Sequence, residues 1–185
     1  MLDTTSAETL NGIDMAALAG VRAGVEADPA SGRIGFKVAT DWGGATRSES
    51  RILDCSYSGE TIDRGFSIAA DEPGRFFGSD SAPNPQELLI SAVNACMVVG
   101  YVAQATLRGV RLNTCRIETE AELDMRGFLG LDEAVPSGCR RISYSVTLDG
   151  DGTRDQYEEI HQAVMSTSPN YFNMCQPVQM IGRLA

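Results

Sequence analysis

Residues 84–108 read NPQELLISAVNACMVVGYVAQATLR, and a run of about twenty of them carries no charge. Asn84 is a favourable N-cap, Pro85 suits the first helical position, and Glu87 completes a capping box. Gly109 follows directly and supplies the left-handed residue with which helices commonly end. The stretch therefore predicts one long helix, about 37 Å in length at 1.5 Å per residue.

Apolar side chains occur on every face of this predicted helix, which is typical of a helix buried on most sides. A membrane span of this length is the alternative. Against it, Asn94, Gln104 and Thr106 interrupt the apolar run, no aromatic belt flanks it, and Lys and Arg are scarce nearby. We therefore predict a buried core helix and no association with a membrane.

Composition limits the class of protein further. The chain has 185 residues, which favours one domain with a sizeable core. A net charge of −10 argues against nucleic acid and anionic membrane partners. The five cysteines are far apart, without a C-x-x-C pair, so neither a disulfide framework nor a zinc site is expected. With no signal peptide pattern at the N-terminus, the sequence favours a reducing cytoplasm, without a metal or a cofactor.

Periodicity places the other elements around the long helix. We expect a helical arm over residues 1–30, whose helix starts at Asp14, followed by one domain over residues 31–185. The predicted strands are residues 33–39, 46–54 and 65–70 before the long helix, and 115–124, 142–148 and 176–184 after it. Further helical segments are predicted over residues 153–167 and 168–174. This order indicates an α+β domain with a strongly curved antiparallel sheet.

Among catalytic schemes, thiol chemistry fits best. The single histidine, His161, lies on an apolar helix face, where a hydrogen-bonded core histidine is expected, and there is no G-x-S-x-G motif. Cys96 lies in the middle of the long helix, where a buried cysteine can equally be a small hydrophobic residue. A reactive Cys96 needs a nearby cation, because the helix dipole fades within the first turn. Arg47 and Arg51, predicted on one face of the second strand, are the candidates.

The stretch SAPNPQELLISAVNACMVVGYVAQATLRGV resembles the central helix of the OsmC/Ohr family of thiol peroxidases. The resemblance rests on P-x-E-L-L, on a cysteine nine residues after that Glu, and on a helix ending in R-G. The later SPNYFNMCQPV resembles the family's second helix end and final strand. The resemblance covers about residues 30–184. It implies an OsmC-like α+β fold, in which strongly curved antiparallel sheets surround the long central helices of an intertwined homodimer, with the active site at the subunit interface.

The resemblance also implies roles for particular residues. In the family's peroxidases a helix cysteine attacks an organic hydroperoxide, and a second cysteine, just before a Pro, resolves the sulfenic acid. Cys96 matches the attacking position. Ser168 stands at the second position, which leaves Cys175, seven residues later, as the substitute candidate. An Arg from an N-terminal strand and a Glu beside the helix-start Pro assist in the family; here that Glu position is Gln86, and Glu87 follows one place later.

Two hypotheses follow from this pattern. The first is an organic hydroperoxide reductase with Cys96 as nucleophile, Arg47 or Arg51 as its cation and Glu87 as support. An outside thiol would then serve as reductant, because Ser168 replaces the family's second cysteine. The second hypothesis is a non-catalytic OsmC-like protein that binds a hydrophobic small molecule at the dimer interface.

Overall fold

The computed structural model describes residues 8–184, which form two compact units, one ending at Ser91 and the other beginning at Ala92. Both units combine helices with antiparallel strands, so the α+β prediction is confirmed. The long helix predicted from the sequence, α2, spans Pro85–Leu107 and crosses the boundary between the units.

The first unit begins with short elements and a helix. Its segments are β1 (Thr9–Leu10), β2 (Ile13–Asp14), α1 (Met15–Ala27), a 3-10 turn (Pro29–Gly32), β3 (Ile34–Trp42), β4 (Ser48–Tyr57), β5 (Glu60–Ile62), β6 (Ser67–Ala70) and a 3-10 turn (Gly74–Phe76). The Asp14 carboxylate accepts a hydrogen bond of 3.0 Å from the Ala17 amide, which confirms the predicted start of α1. The division into an arm and a domain at residue 30 stays a prediction.

The sheet of the first unit is built on β4, which pairs antiparallel with β3, β5 and β6. The register of β3 and β4 runs from Ile34 opposite Tyr57 to Trp42 opposite Ser48. The predicted start of this strand at residue 46 is wrong, because β4 begins at Ser48. Arg47 lies in the turn before β4, because Gly44 and Ala45, with φ of 98° and 45°, extend the turn to that residue. The short strand β5 was not predicted.

Both ends of α2 form as the sequence predicts. The Asn84 side-chain oxygen accepts from the Glu87 amide at 2.9 Å, and the Glu87 carboxylate accepts from the Asn84 amide at 2.8 Å. At the other end Gly109 adopts a φ of 68°, and the amide of Val110 donates to the carbonyl of Ala105 at 2.9 Å. Local hydrogen bonds therefore set the length of the helix.

The second unit packs two helices and a two-stranded antiparallel sheet around the C-terminal part of α2. Its further segments are β7 (Leu112–Ala121), α3 (Met125–Phe128), β8 (Ile142–Gly150), α4 (Arg154–Thr167) and α5 (Pro169–Cys175). The buried core consists of Met97, Tyr101, Ala105, Val110, Ile160 and Val164. A Cβ atom at Gly100 would lie 3.2 Å from a Val164 methyl carbon, so α2 and α4 pack closely there.

Two predictions about this unit are wrong within the single chain. Residues 176–184 do not form a strand, and Met180 and Ile181 are exposed. A strand needs a backbone partner, and no ladder to this segment forms among the described residues. The helix α2 is not buried on most sides either: Met97 and Tyr101 are buried, whereas Val99 is 69% exposed.

By length and composition α2 could cross a membrane, and it is the one helix within residues 8–184 that meets these criteria. The core helix of a soluble protein meets the same criteria, so this finding alone is weak evidence for a membrane span.

Candidate functional site

Cys96 lies in the second unit, on α2, directly before the buried Met97. The thiol is half-buried and free of any disulfide. Its sulfur lies 3.4 Å from the hydroxyl oxygen of Ser168, a residue that is only 4% exposed. The structure therefore brings the candidate nucleophile against the residue that stands directly before Pro169.

The junction of α4 and α5 holds Ser168 in place. Its amide donates to the Val164 carbonyl at 2.8 Å, and its hydroxyl oxygen accepts from the Tyr171 amide at 3.5 Å, as the N-cap of α5. The Asn170 side chain donates to the Ala92 carbonyl at 2.9 Å and ties α5 to α2. Because Ser168 accepts from Tyr171, its hydroxyl proton remains free to be donated to the Cys96 sulfur.

Cys175, the other sequence candidate for the resolving cysteine, is the last residue of α5 and is exposed. Its thiol forms a hydrogen bond with the Tyr171 side chain. That hydrogen bond, together with burial, raises the pKa of Tyr171 to about 12. The ring of Tyr171 meets the ring of Tyr144 edge to face, with centroids 6.2 Å apart. In this structure Cys175 thus belongs to an aromatic cluster, and Ser168 is the residue at the Cys96 sulfur.

The two candidate arginines lie in the first unit and have different partners. Arg51 forms an exposed ion pair with Asp41 on the neighbouring strand, with 2.8 Å between nitrogen and oxygen. Arg47 donates from Nη1 to the neutral hydroxyl of Ser81 at 3.4 Å. Arg51 is therefore engaged in an ion pair, whereas this contact of Arg47 is to a neutral hydroxyl.

Glu87 is committed to the N-terminus of α2. Its carboxylate closes the capping box with Asn84 and lies in the first turn, where a negative charge is favourable. Gln86, at the family's Glu position, is exposed. Helix capping thus accounts for the contacts that Glu87 makes.

His161 is a hydrogen-bonded residue of the second unit, as expected from the sequence. The Tyr101 hydroxyl lies 2.5 Å from His161 Nδ1, and the two rings are stacked. Burial raises the pKa of Tyr101, so the phenol keeps its proton at neutral pH. The pair couples α2 to α4.

Sequence reasoning missed Asp71, a buried carboxylate at the end of β6. It is 1% exposed and accepts hydrogen bonds from Thr46, Ser79 and Ser81. The signal that could have identified it is the loop after β6, which is rich in Gly, Ser, Asp and Pro and would need an internal acceptor for its donors.

The fold and this site define an α+β chain whose long central helix carries a half-buried free cysteine. The sequence profile of the family described as OsmC-like protein matches residues 78–180, which is more than half of the chain. The chain belongs to the OsmC-like protein family. No curated protein matches it closely enough to add a more specific description.

Solved structures of the family share the fold. The OsmC-like protein from Mycoplasma pneumoniae is 13% identical and superimposes with a TM-score of 0.61. The match covers 76% of this chain and 87% of the Mycoplasma chain. An OsmC-like protein of unknown function from Vibrio cholerae is 12% identical. The match covers 74% of this chain and 91% of the Vibrio chain, with a TM-score of 0.56. At this level of identity the likeness establishes the fold alone.

Proposed function

We propose that this chain is a thiol-dependent peroxidase that reduces organic hydroperoxides through Cys96. The observation that carries the proposal is the 3.4 Å approach of the Cys96 sulfur to the Ser168 hydroxyl. A hydroxyl that donates to sulfur favours the anionic thiolate, which is the nucleophilic form. The family resemblance of the Cys96 helix supplies the choice of substrate.

The reaction can be written with one protein cysteine. The Cys96 thiolate attacks the terminal oxygen of the hydroperoxide, the O–O bond breaks, and the alcohol leaves with a proton while Cys96 becomes a sulfenic acid. An outside thiol then condenses with the sulfenic acid and releases water. A second outside thiol cleaves this mixed disulfide, which regenerates Cys96 and yields the disulfide of the reductant. Ser168 cannot perform the second step, since it has no sulfur.

The thiolate also needs a positive neighbour, for which we propose Arg47. Cys96 lies about three turns after the start of α2, where the helix dipole no longer acts. Arg51 is the second choice, because it already pairs with Asp41. Glu87 would assist indirectly, by holding the start of the helix through its capping box.

We further propose that the active form is a cytoplasmic homodimer with the site at the subunit interface. The single chain leaves apolar side chains of α2 exposed, Val99 most of all, and its C-terminal segment carries exposed Met180 and Ile181. A second copy of the chain could cover these groups, as the family resemblance implies. An apolar interface would also admit the organic part of a hydroperoxide.

A non-catalytic protein that binds a hydrophobic small molecule is the second candidate. It is favoured by two departures from the family's peroxidases, Gln86 in place of Glu and Ser168 in place of Cys. In that case Cys96 would be sealed by apolar side chains, and the pocket would retain a ligand during purification.

The deciding experiment is mass spectrometry of Cys96 after brief exposure to cumene hydroperoxide with a sulfenic-acid trap, beside a Cys96→Ser control. We expect trapped sulfenic acid at Cys96 within seconds and release of cumyl alcohol in equal amount. Cys115 provides an internal control, because burial raises the pKa of its thiol and should keep it unreacted. Unmodified Cys96 together with a co-purified apolar ligand would instead support the binding protein.

A further inference from the structure

A buried carboxylate organises the loop that leads into α2, within the first unit. Asp71 accepts six hydrogen bonds, from Thr46 Oγ1 (3.0 Å), the Glu72 amide (2.9 Å), the amide and hydroxyl of Ser79 (3.0 and 2.7 Å) and those of Ser81 (3.2 and 2.9 Å). These hydrogen bonds, that of the Ser79 hydroxyl foremost, outweigh burial and hold the pKa of Asp71 well below its usual range. The group is therefore an ionised carboxylate at neutral pH.

The backbone around Asp71 is closely fitted. The Asp71 amide donates to the Pro83 carbonyl at 3.2 Å, which brings the two ends of the loop together just before the Asn84 cap of α2. A Cβ atom at Gly78 would lie 1.6 Å from the Glu72 carbonyl oxygen, so only glycine fits there. The loop thus has one specific shape, with the carboxylate at its centre.

The direction of one hydrogen bond connects this loop to Arg47. An ionised carboxylate only accepts, so the single proton of the Ser81 hydroxyl points at Asp71. The lone pairs of the same oxygen are then left to accept from Arg47 Nη1 at 3.4 Å. Thr46, which directly precedes Arg47 in the chain, donates to the other carboxylate oxygen of Asp71. The Asp71 carboxylate is therefore linked to the backbone of Arg47 through Thr46, and to the guanidinium of Arg47 through Ser81.

We propose that Asp71 is a positioning residue for Arg47, acting through Thr46 on the backbone and through Ser81 on the guanidinium. The positioning itself depends only on contacts within the first unit. Its consequence for Cys96 rests on the proposed function, in which Arg47 favours the thiolate. None of Asp71, Thr46 and Ser81 needs to touch the substrate in this scheme.

The test compares two serines that hydrogen-bond to the same carboxylate oxygen. Ser81→Ala removes the 2.9 Å bond and the acceptor for Arg47, whereas Ser79→Ala removes the shorter 2.7 Å bond and leaves Arg47 its acceptor. Ser81→Thr keeps the hydroxyl and should restore the wild-type behaviour. Thr46→Val removes the backbone link with a side chain of the same shape.

Two readouts separate positioning from general damage: the NMR order parameter of the Arg47 Nε–H group, and the pH profile of Cys96 alkylation by iodoacetamide. We expect Ser81→Ala and Thr46→Val to lower the order parameter of the Arg47 Nε–H group. Both variants should also slow Cys96 alkylation at neutral pH by about fivefold, the change in an equilibrium constant that corresponds to the loss of one neutral hydrogen bond. Ser79→Ala should stay within about twofold of wild type, because its effect is confined to the carboxylate.

The outcomes distinguish this proposal from the proposed function. If Ser79→Ala and Ser81→Ala change Arg47 order equally, or neither changes it, the positioning role is overturned. If only Ser81→Ala and Thr46→Val lower that order while Cys96 alkylation stays unchanged, the positioning stands and the role of Arg47 at Cys96 fails. If Ser81→Ala does not fold, Thr46→Val is compared with Ser79→Ala instead. The same two measurements, the Arg47 order parameter and the Cys96 alkylation profile, then decide.

Discussion

The Cys96 sulfur and the Ser168 hydroxyl oxygen lie 3.4 Å apart, although 72 residues separate them in the sequence. Ser168 is buried, caps α5 and directly precedes Pro169. A hydrogen-bond contact therefore joins the two side chains, and Ser168 has no sulfur with which to form a disulfide.

Ser168→Cys should convert the protein to two-cysteine chemistry. The present contact is 3.4 Å, so a sulfur at this position would need to approach Cys96 by about 1.4 Å to reach the disulfide length of about 2 Å. Peptide mapping under non-reducing conditions after peroxide treatment should find a bridge between position 168 and Cys96, absent when Cys96→Ser is added. The lost cap should cost about 1 kcal/mol in unfolding free energy. Persistent sulfenic acid without a bridge would contradict the geometry.

The native pair Cys96 and Cys175 should not form an efficient disulfide. Cys175 is exposed and hydrogen-bonded to the Tyr171 side chain, and Ser168 occupies the place beside the Cys96 sulfur. After peroxide treatment, peptide mapping should find Cys96 mainly as sulfenic acid or as a mixed disulfide with added thiol. Should a Cys96–Cys175 bridge dominate, the two-cysteine mechanism would apply to the native chain.

Arg47→Met should slow Cys96 alkylation at neutral pH, and the rate should rise only at higher pH. In the proposed function Arg47 is the cation that favours the Cys96 thiolate, and a one-unit rise in the thiol pKa on its loss corresponds to about tenfold in thiolate population, or about 1.4 kcal/mol. Arg51→Met is the matched control, and its effect should be smaller because Arg51 is paired with Asp41. A pH series of alkylation rates measures both variants. If the pH profiles of wild type, Arg47→Met and Arg51→Met coincide, neither arginine activates the Cys96 thiol, and the hypothesis of a non-catalytic binding protein is favoured.

Asp71 should make stability depend on pH in the acid range. Hydrogen bonding lowers its pKa in the folded state from the ordinary value of 3.8, so its contribution is fully present above that value. The contribution is lost as the pH falls below 3.8 toward the folded-state pKa. Urea unfolding from pH 7 to pH 2.5 measures the free energy of unfolding of wild type and Asp71→Asn. The difference between these two free energies should narrow below about pH 4. A difference that stays constant would show that the carboxylate charge is not involved.

The chain should be a homodimer at micromolar concentration, with more than ~2,000 Å² buried in total, as in obligate dimers. Sedimentation velocity measures this directly. Val99→Asp, on the exposed side of α2, should weaken the dimer, because it would bury an unpaired charge. A monomeric wild type would end the proposal of an interface site.

Local signals in the sequence determined the helices. The capping box of Asn84 with Glu87 and the Gly109 stop form as expected, and Thr153 with Gln156 forms a capping box at the start of α4. Each depends on hydrogen bonds between residues only a few positions apart, so nearby residue types are sufficient to specify it. The family resemblance likewise follows from two contiguous stretches, the helix that carries Cys96 and the later SPNYFNMCQPV.

Only the tertiary structure decided which groups meet. Cys96 lies against Ser168, and Asp71 gathers Thr46, Ser79 and Ser81, because packing of the whole chain brings distant segments together. Residues 176–184 alternate like a strand, yet they form none, because no backbone partner pairs with them among residues 8–184. Such contacts depend on closing long loops and burying shared surfaces, a balance that no local pattern of residues encodes.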